Sequence, residues 1–379
     1  MTRTDQHFGQ HVHQHLEQHV EPAAPSLPFH RLAHAVPQRR RWWRPVVAVG
    51  VAALVYVAMF LALMILLLLA GEIWPAFATS PELDDPLSAA DQIGTLGVIA
   101  LMIPAVVIGT MAGYGRAGIV HSVLGRVRWT LLGRVAIVVL PLYVLLNTGS
   151  MLLLRREEVA VPPLEPSVLI AFLAILVLSP LQSAGEEYAF RALPMQMLGT
   201  WMRTPVLGIL LPVPLFVLGH GYDWVGQIDI AAFALAMGML AWKTGGLELP
   251  ILLHAANNLT LYVVAPLIPS VMEQGAVHPA MLLQSTVPML LITAAIWWWC
   301  SRREGLGLWE PQRSVAARAP GAGSDPQQRG QGHDDPALRC HDDSSQQERG
   351  PGAPYSGPSS RPERPGEGGA PSRLVLSRR

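Results

Sequence analysis

Three clusters of polar side chains interrupt apolar sequence in the middle of this chain, and each offers groups that can move or hold a proton. The first is Ser183-Ala184-Gly185-Glu186-Glu187-Tyr188-Ala189-Phe190-Arg191. On a helix Glu187 and Arg191 stand i and i+4, share a face and can pair. Glu186 is turned about 100° away and lacks that partner. This divides the two carboxylates into one structural and one reactive group; the bland alternative is a helix-end ion pair at a membrane surface. The second cluster is Phe216-Val217-Leu218-Gly219-His220, with its histidine at the end of an uncharged apolar run. A lone histidine there is more often a satisfied interface residue. The third is His254-Ala255-Ala256-Asn257-Asn258. His254 and Asn258 are again one turn apart, so both can donate to a single oxygen, or simply glue two helices together.

These clusters sit in sequence that reads as membrane. The 379 residues are 51% hydrophobic and 14% charged, against about 25% charged in soluble domains, and mean hydropathy is +0.33. Lys+Arg and Asp+Glu are both 27, which excludes a strongly nucleic-acid-binding protein. Cys300 and Cys340 cannot build a disulfide framework. Apolar runs long enough to span begin with Val46 to Ala70. Further candidates are Ile93 to Tyr114, Val135 to Leu154, Ser167 to Gly185, Thr204 to Gly221, Asp229 to Trp242, Leu249 to Pro269 and Pro279 to Cys300. The sixth, at about 14 residues, is the weakest. With no period-2 alternation, these eight spans predict helices and not a barrel. The fold class is therefore an all-α polytopic bundle over residues 46–301, with disordered polar tails at 1–45 and 302–379.

Arginines set the expected orientation. Arg39, Arg40, Arg41 and Arg44 precede the first span. Arg116, Arg126, Arg128 and Arg134 follow the second, and Arg302 and Arg303 follow the last. The acids Glu72, Glu82, Asp84, Asp85 and Asp91 fill the first loop. Both termini are expected in the cytoplasm, with Arg155 and Arg156 as exceptions. Trp297-Trp298-Trp299 reads as an interfacial belt. The arginine-rich composition, with Lys243 the only lysine, suggests a bacterial cytoplasmic membrane. The N-terminal tail carries His7, His11, His13, His15, His19, His30 and His34. Their spacing is not a fixed metal cage, and a polar tail is the simpler reading.

Taken in order, the three clusters resemble the CPBP family of intramembrane proteases, which includes the CAAX prenyl endopeptidases and bacterial Abi-type proteins. The family motifs are E-E-x-x-x-R, F-x-x-x-H and H-x-x-x-N. Glu186-Glu187 with Arg191, Phe216 with His220, and His254 with Asn258 match them. The resemblance covers roughly residues 167–265. It departs at Ala192, where many relatives have glycine.

The resemblance implies an intramembrane endopeptidase. Glu186 and His220 would activate a water, while His254 and Asn258 would stabilise the oxyanion. Glu187, Arg191 and Phe216 would support the site. It implies glutamate-dependent catalysis with no cofactor. The metallo-type alternative is a zinc held by Glu186, His220 and His254. Substrates would be peptides or proteins, prenylated or membrane-anchored, met within the lipid bilayer. The alternative from another class is a catalytically silent scaffold, a bacteriocin-immunity or regulatory protein, or a proton-coupled transporter.

One tension follows. If the fifth apolar run spans, Glu186 and His220 lie at opposite ends of neighbouring helices, about 25 Å apart. The resemblance therefore requires either a fourth helix that continues past Arg191 to about Trp201 or a displaced fifth helix. It also requires a water-filled cavity.

Overall fold

The computed structural model describes residues 26–35, 41–163, 165–272, 275 and 279–314. Among them the architecture is helical, and the only strand-like pairings are isolated bridges, Pro28 with Arg313 and Ser122 with Gly246. The main helices are α1 (Arg44–Ile73), α2 (Ala89–Tyr114), α3 (Trp129–Leu154), α4 (Pro166–Trp201), α5 (Val206–Leu218), α6 (Trp224–Thr244), α7 (Glu248–Val264) and α8 (Ala280–Glu304). Five of these, α1 to α4 and α6, have the length and apolarity to cross a membrane, against eight spans expected from hydropathy. The fifth expected span is the shorter α5. The sixth is longer than expected, at 21 residues. Its start is fixed by Asp223, whose carboxylate accepts from the Val225 and Gly226 amides and satisfies donors the helix cannot.

Helix α1 is apolar nearly all round and buries only Pro45, Ala48, Ala52 and Leu67, as a lipid-facing helix does. Its contact with α2 is backbone-close, because Ala48 and Ala52 face Gly109 and Gly113. A Cβ on Gly109 would lie 2.3 Å from the Ala48 carbonyl oxygen. Lipid supplies no hydrophobic drive between helices, so small residues that bring backbones together do this work. The same device joins α2 to α4, next to the first polar cluster. A Cβ on Gly185 would lie 2.3 Å from the Ile99 carbonyl oxygen. Gly185→Val is expected to push α4 off α2 and destabilise the protein by about 1–3 kcal/mol. Equilibrium unfolding in mixed micelles measures this, and an unchanged midpoint would refute the close-approach argument.

Two stretches of the expected tails are folded onto the bundle. Residues Phe29–Ala35 form a 3-10 turn against the end of α4. There Arg31 donates to the carbonyls of Gly199 and Met202, at 2.9 and 2.8 Å. His30 Nε2 lies 2.9 Å from the Arg203 carbonyl, and His34 Nε2 lies 3.1 Å from those of Gly199 and Thr200. Of these carbonyls, Gly199 and Thr200 stand in the last turn of α4, which leaves them without intrahelical partners. Burial pushes the His30 imidazole below its ordinary pKa, so it meets that carbonyl as a neutral donor. Beyond α8, Ser314 and Leu27 exchange hydrogen bonds, and the buried Lys243 ammonium donates to the carbonyls of Gly307, Leu308 and Glu310. His7, His11, His13, His15 and His19 lie outside the described residues, as does the chain from 315 onward.

Candidate active site

Helix α4 carries the first cluster, and it runs unbroken through it for 36 residues. That is the continuation past Arg191 which the motif reading required. Within it, Tyr188–Ala192 is a π turn. Pro194 lacks an amide hydrogen, and its ring crowds the carbonyl four residues back; a wider turn accommodates it. The Leu193 amide accordingly bonds to the Tyr188 carbonyl.

The level of His220 follows from chain arithmetic. From Glu186 down α4 to Trp201 is about 22 Å, and from Val206 back up α5 to His220 is about 21 Å. A helix shorter than a span therefore returns the second cluster to the height of the first. Arg191 and Phe216, each ten residues from their shared turn, meet with the guanidinium carbon 4.2 Å from the ring centroid.

Helix α7 brings the third cluster in, antiparallel to α4. His254 Nδ1 lies 2.8 Å from Glu187 Oε1, and its Nε2 lies 3.2 Å from Glu186 Oε2. One turn on along α7, and one turn back along α4, Asn258 Nδ2 donates to Gln182 Oε1 at 3.0 Å. The two rungs confirm the antiparallel register. Glu187 is fully buried, and its second oxygen lies 3.4 Å from Arg191 Nε. Glu187 therefore ties α4 to itself through Arg191 and to α7 through His254. Glu186, the carboxylate expected to lack an arginine partner, has no arginine within ion-pair distance among the described residues and pairs with the His254 imidazole.

Phe216 is the hub of the site. Its ring packs 4.9 Å from His220 and 6.2 Å from His254, centroid to centroid. Phe233 of α6 packs against His254 at 4.8 Å and stacks beside Phe216 at 6.4 Å. His220 Nδ1 lies 2.8 Å from the Phe216 carbonyl. A carbonyl only accepts, so Nδ1 carries a proton, and in the neutral tautomer this contact selects, Nε2 is the acceptor. Gln227 donates to the carbonyls of His220 and Tyr222 and fixes that turn.

Comparison with known proteins follows this geometry. Residues 166–260 match the type II CAAX prenyl endopeptidase Rce1-like family. Over this segment the chain is similar to that family. A curated relative is the uncharacterized protein YyaK of Bacillus subtilis (strain 168), 32% identical over 96 residues, which are 23% of this chain and 32% of the relative. The match thus spans about a third of that relative's length. No solved structure matches the chain.

The Rce1-like segment runs from the first residue of α4 into α7 and takes in all three clusters. Two of its site neighbours were not singled out in the sequence. Gln182 is buried and holds Asn258; the available signal was its place one turn before Glu186 in an apolar helix. Tyr188 lies inside the first motif, and its hydroxyl meets His121 Nδ1 at 2.6 Å. That contact anchors the loop between α2 and α3 beside the site.

The alternative zinc set does not suit the donors as they stand in the Rce1-like segment. Both nitrogens of His254 face carboxylate oxygens. Among the described residues no group of three or more His, Cys, Asp and Glu side chains forms a metal cage. The crevice next to the site, between Phe190, Arg191, Pro212 and Phe216, has a volume of about 0 Å³ for water. It is not the expected water-filled cavity.

An amide has two N–H groups, and Gln182 engages one of those on Asn258. If Asn258 holds the oxyanion as the motif resemblance implies, Gln182→Leu is expected to release its amide and lower turnover about tenfold or more, with the helix pair retained, since Leu keeps the bulk. A kcat equal to wild type with unchanged KM would show that Gln182 only packs.

Proposed function

We propose that this protein is an intramembrane endopeptidase that hydrolyses a peptide bond with a water activated by Glu186 and His220. The observation that carries this reading is the meeting of Glu186 with His254 at 3.2 Å, with both histidines packed on one Phe216 ring. These groups come from three helices and are buried or half-buried among apolar side chains. Such placement is costly unless the groups have work to do.

In this reading the water's oxygen attacks the scissile carbonyl carbon while Glu186 accepts its proton. The His220 Nε2 lone pair holds the water's second hydrogen and aims the oxygen. The carbonyl oxygen becomes an oxyanion, received by His254 Nε2 and the free N–H of Asn258. The C–N bond then breaks, and Glu186 returns its proton to the leaving nitrogen. Substrate entry must part His254 from Glu186, because the oxyanion takes the position between them. Glu187 and Arg191 hold both catalytic helices through that movement. Catalysis needs no metal, and substrates are peptides or membrane-anchored proteins, prenylated ones included.

The test is peptide hydrolysis by the purified full-length protein against a peptide library, with and without a chelator. Activity that survives chelation supports the reading. Activity abolished by the chelator and restored by zinc overturns the metal-free mechanism. The rival scaffold reading gains if no peptide is cleaved while the cellular phenotype survives both Glu186→Gln and His220→Ala.

A further inference from the structure

A second cavity lies apart from the site described above, at the arginine-rich end of the bundle. It has a volume of about 270 Å³ and opens between the start of α3 and the last turn of α8. Arg126, Trp129 and Thr130 form one side, and Arg303 and Glu304 the other. Leu131 and Leu249 add apolar lining.

The charges at this mouth do not cancel. Arg128 lines it too, but that guanidinium is spent on Glu248 at 2.6 Å and on the Thr244 carbonyl and Gln312. Glu304 sits 3.4 Å from Arg303 Nε and answers part of its charge. Arg126 is exposed, and no acid stands within ion-pair distance of it among the described residues. The mouth is therefore net positive. Trp129 and Thr130 open α3, so the leading amides of a long helix add partial positive charge on the same side.

The surroundings select the ligand. Trp129 is 71% exposed at the mouth, and Trp299 lines the cavity below the Arg303 guanidinium, 5.1 Å from it. Exposed tryptophans at helix ends mark the membrane–water boundary. Away from the mouth, α3 shows Ile137 and Val138 at the surface, and α8 shows Leu291 and Trp298. An anion held here has apolar surface running from it along both helices. A soluble anion would use only the basic mouth, whereas a phospholipid uses both. Basic pockets between membrane helices are suited to anionic headgroups.

We propose that this cavity binds the phosphate headgroup of an anionic phospholipid, with Arg126 and Arg303 on the phosphate and the acyl chains along α3 and α8. The site is separate from the Glu186 cluster and does not depend on its chemistry.

Native mass spectrometry of the full-length protein in detergent, titrated with phosphatidylglycerol or phosphatidylcholine, tests it. Wild type is expected to retain one phosphatidylglycerol in preference to phosphatidylcholine. The double variant Arg126→Gln/Arg303→Gln, at exposed positions that leave the Arg128–Glu248 pair intact, is expected to bind it about thirtyfold more weakly. Thr130→Trp fills the cavity without changing charge and is expected to exclude the lipid as well. Equal retention of the two lipids, or undiminished binding by either variant, overturns the proposal. So does competition by millimolar inorganic phosphate, which would make this a free-anion site.

Discussion

Glu186→Gln is expected to lower peptide hydrolysis by about 10²–10⁴-fold while leaving the protein folded. Glutamine keeps the shape and an oxygen for His254, so the α4–α7 contact persists. In the proposed mechanism it removes the basic oxygen that takes the water's proton. Glu187→Gln changes one atom in the adjacent residue and should behave differently. It leaves the Arg191 guanidinium buried, with neither Nη nitrogen hydrogen-bonded, and only the Phe216 ring beside it. Removing one partner of a buried pair costs about 3–5 kcal/mol, so this variant should lose stability first and activity with it. The contrast separates chemistry from scaffolding. A Glu186→Gln protein that unfolds as readily as Glu187→Gln, or that keeps turnover within about threefold of wild type, would remove Glu186 from the reaction.

The difference between these two carboxylates was legible in the sequence, because i,i+4 spacing assigns Glu187 to Arg191 and turns Glu186 elsewhere. The shared face of His254 and Asn258 was legible for the same reason. What those faces meet was not. Helical periodicity reports which residues point together, not which helix stands opposite, so the Glu187–His254 contact and the role of Gln182 appear only with α7 in place. Hydropathy also misjudged α5. Thr204 to Gly221 is apolar enough to read as a span, but the helix starts only after Pro205, turns at Leu211 and stops at Gly219. The shortened helix is what brings His220 level with Glu186. The N-terminal tail concealed its folded turn because the apolar residues around Phe29 and Leu32 make too short a run to read as a span. They are buried only because the end of α4 is there to receive them.

An equally large effect on stability is expected from Glu248→Ala, far from the proposed chemistry. Arg128 and Glu248 are 8% and 2% exposed and lie 2.6 Å apart. Glu248 takes three bonds from that residue: the Arg128 backbone amide at 2.8 Å, Nε at 3.0 Å and Nη2 at 2.6 Å. It also stands in the first turn of α7, where a negative charge complements the helix dipole. The pair is built into a tight place. Gly246 passes so close that a Cβ there would lie 2.5 Å from Glu248 Oε2 and 2.6 Å from Arg128 Nη2. The loop carrying Arg128 is held to that turn by Val123 donating to Gly245 and Leu247 donating to His121. Alanine at 248 removes the charged partner of this buried guanidinium, and a loss of about 3–5 kcal/mol is expected. The loss reaches the site, because α7 starts at this anchor and His254 is six residues along it. Unfolding in mixed micelles measures the cost. The double variant Arg128→Met/Glu248→Met should recover most of it, since apolar replacement of a buried pair is often neutral or stabilising. Glu248→Ala within about 1 kcal/mol of wild type would place the pair in the class of solvent-screened bridges and free α7 from dependence on it.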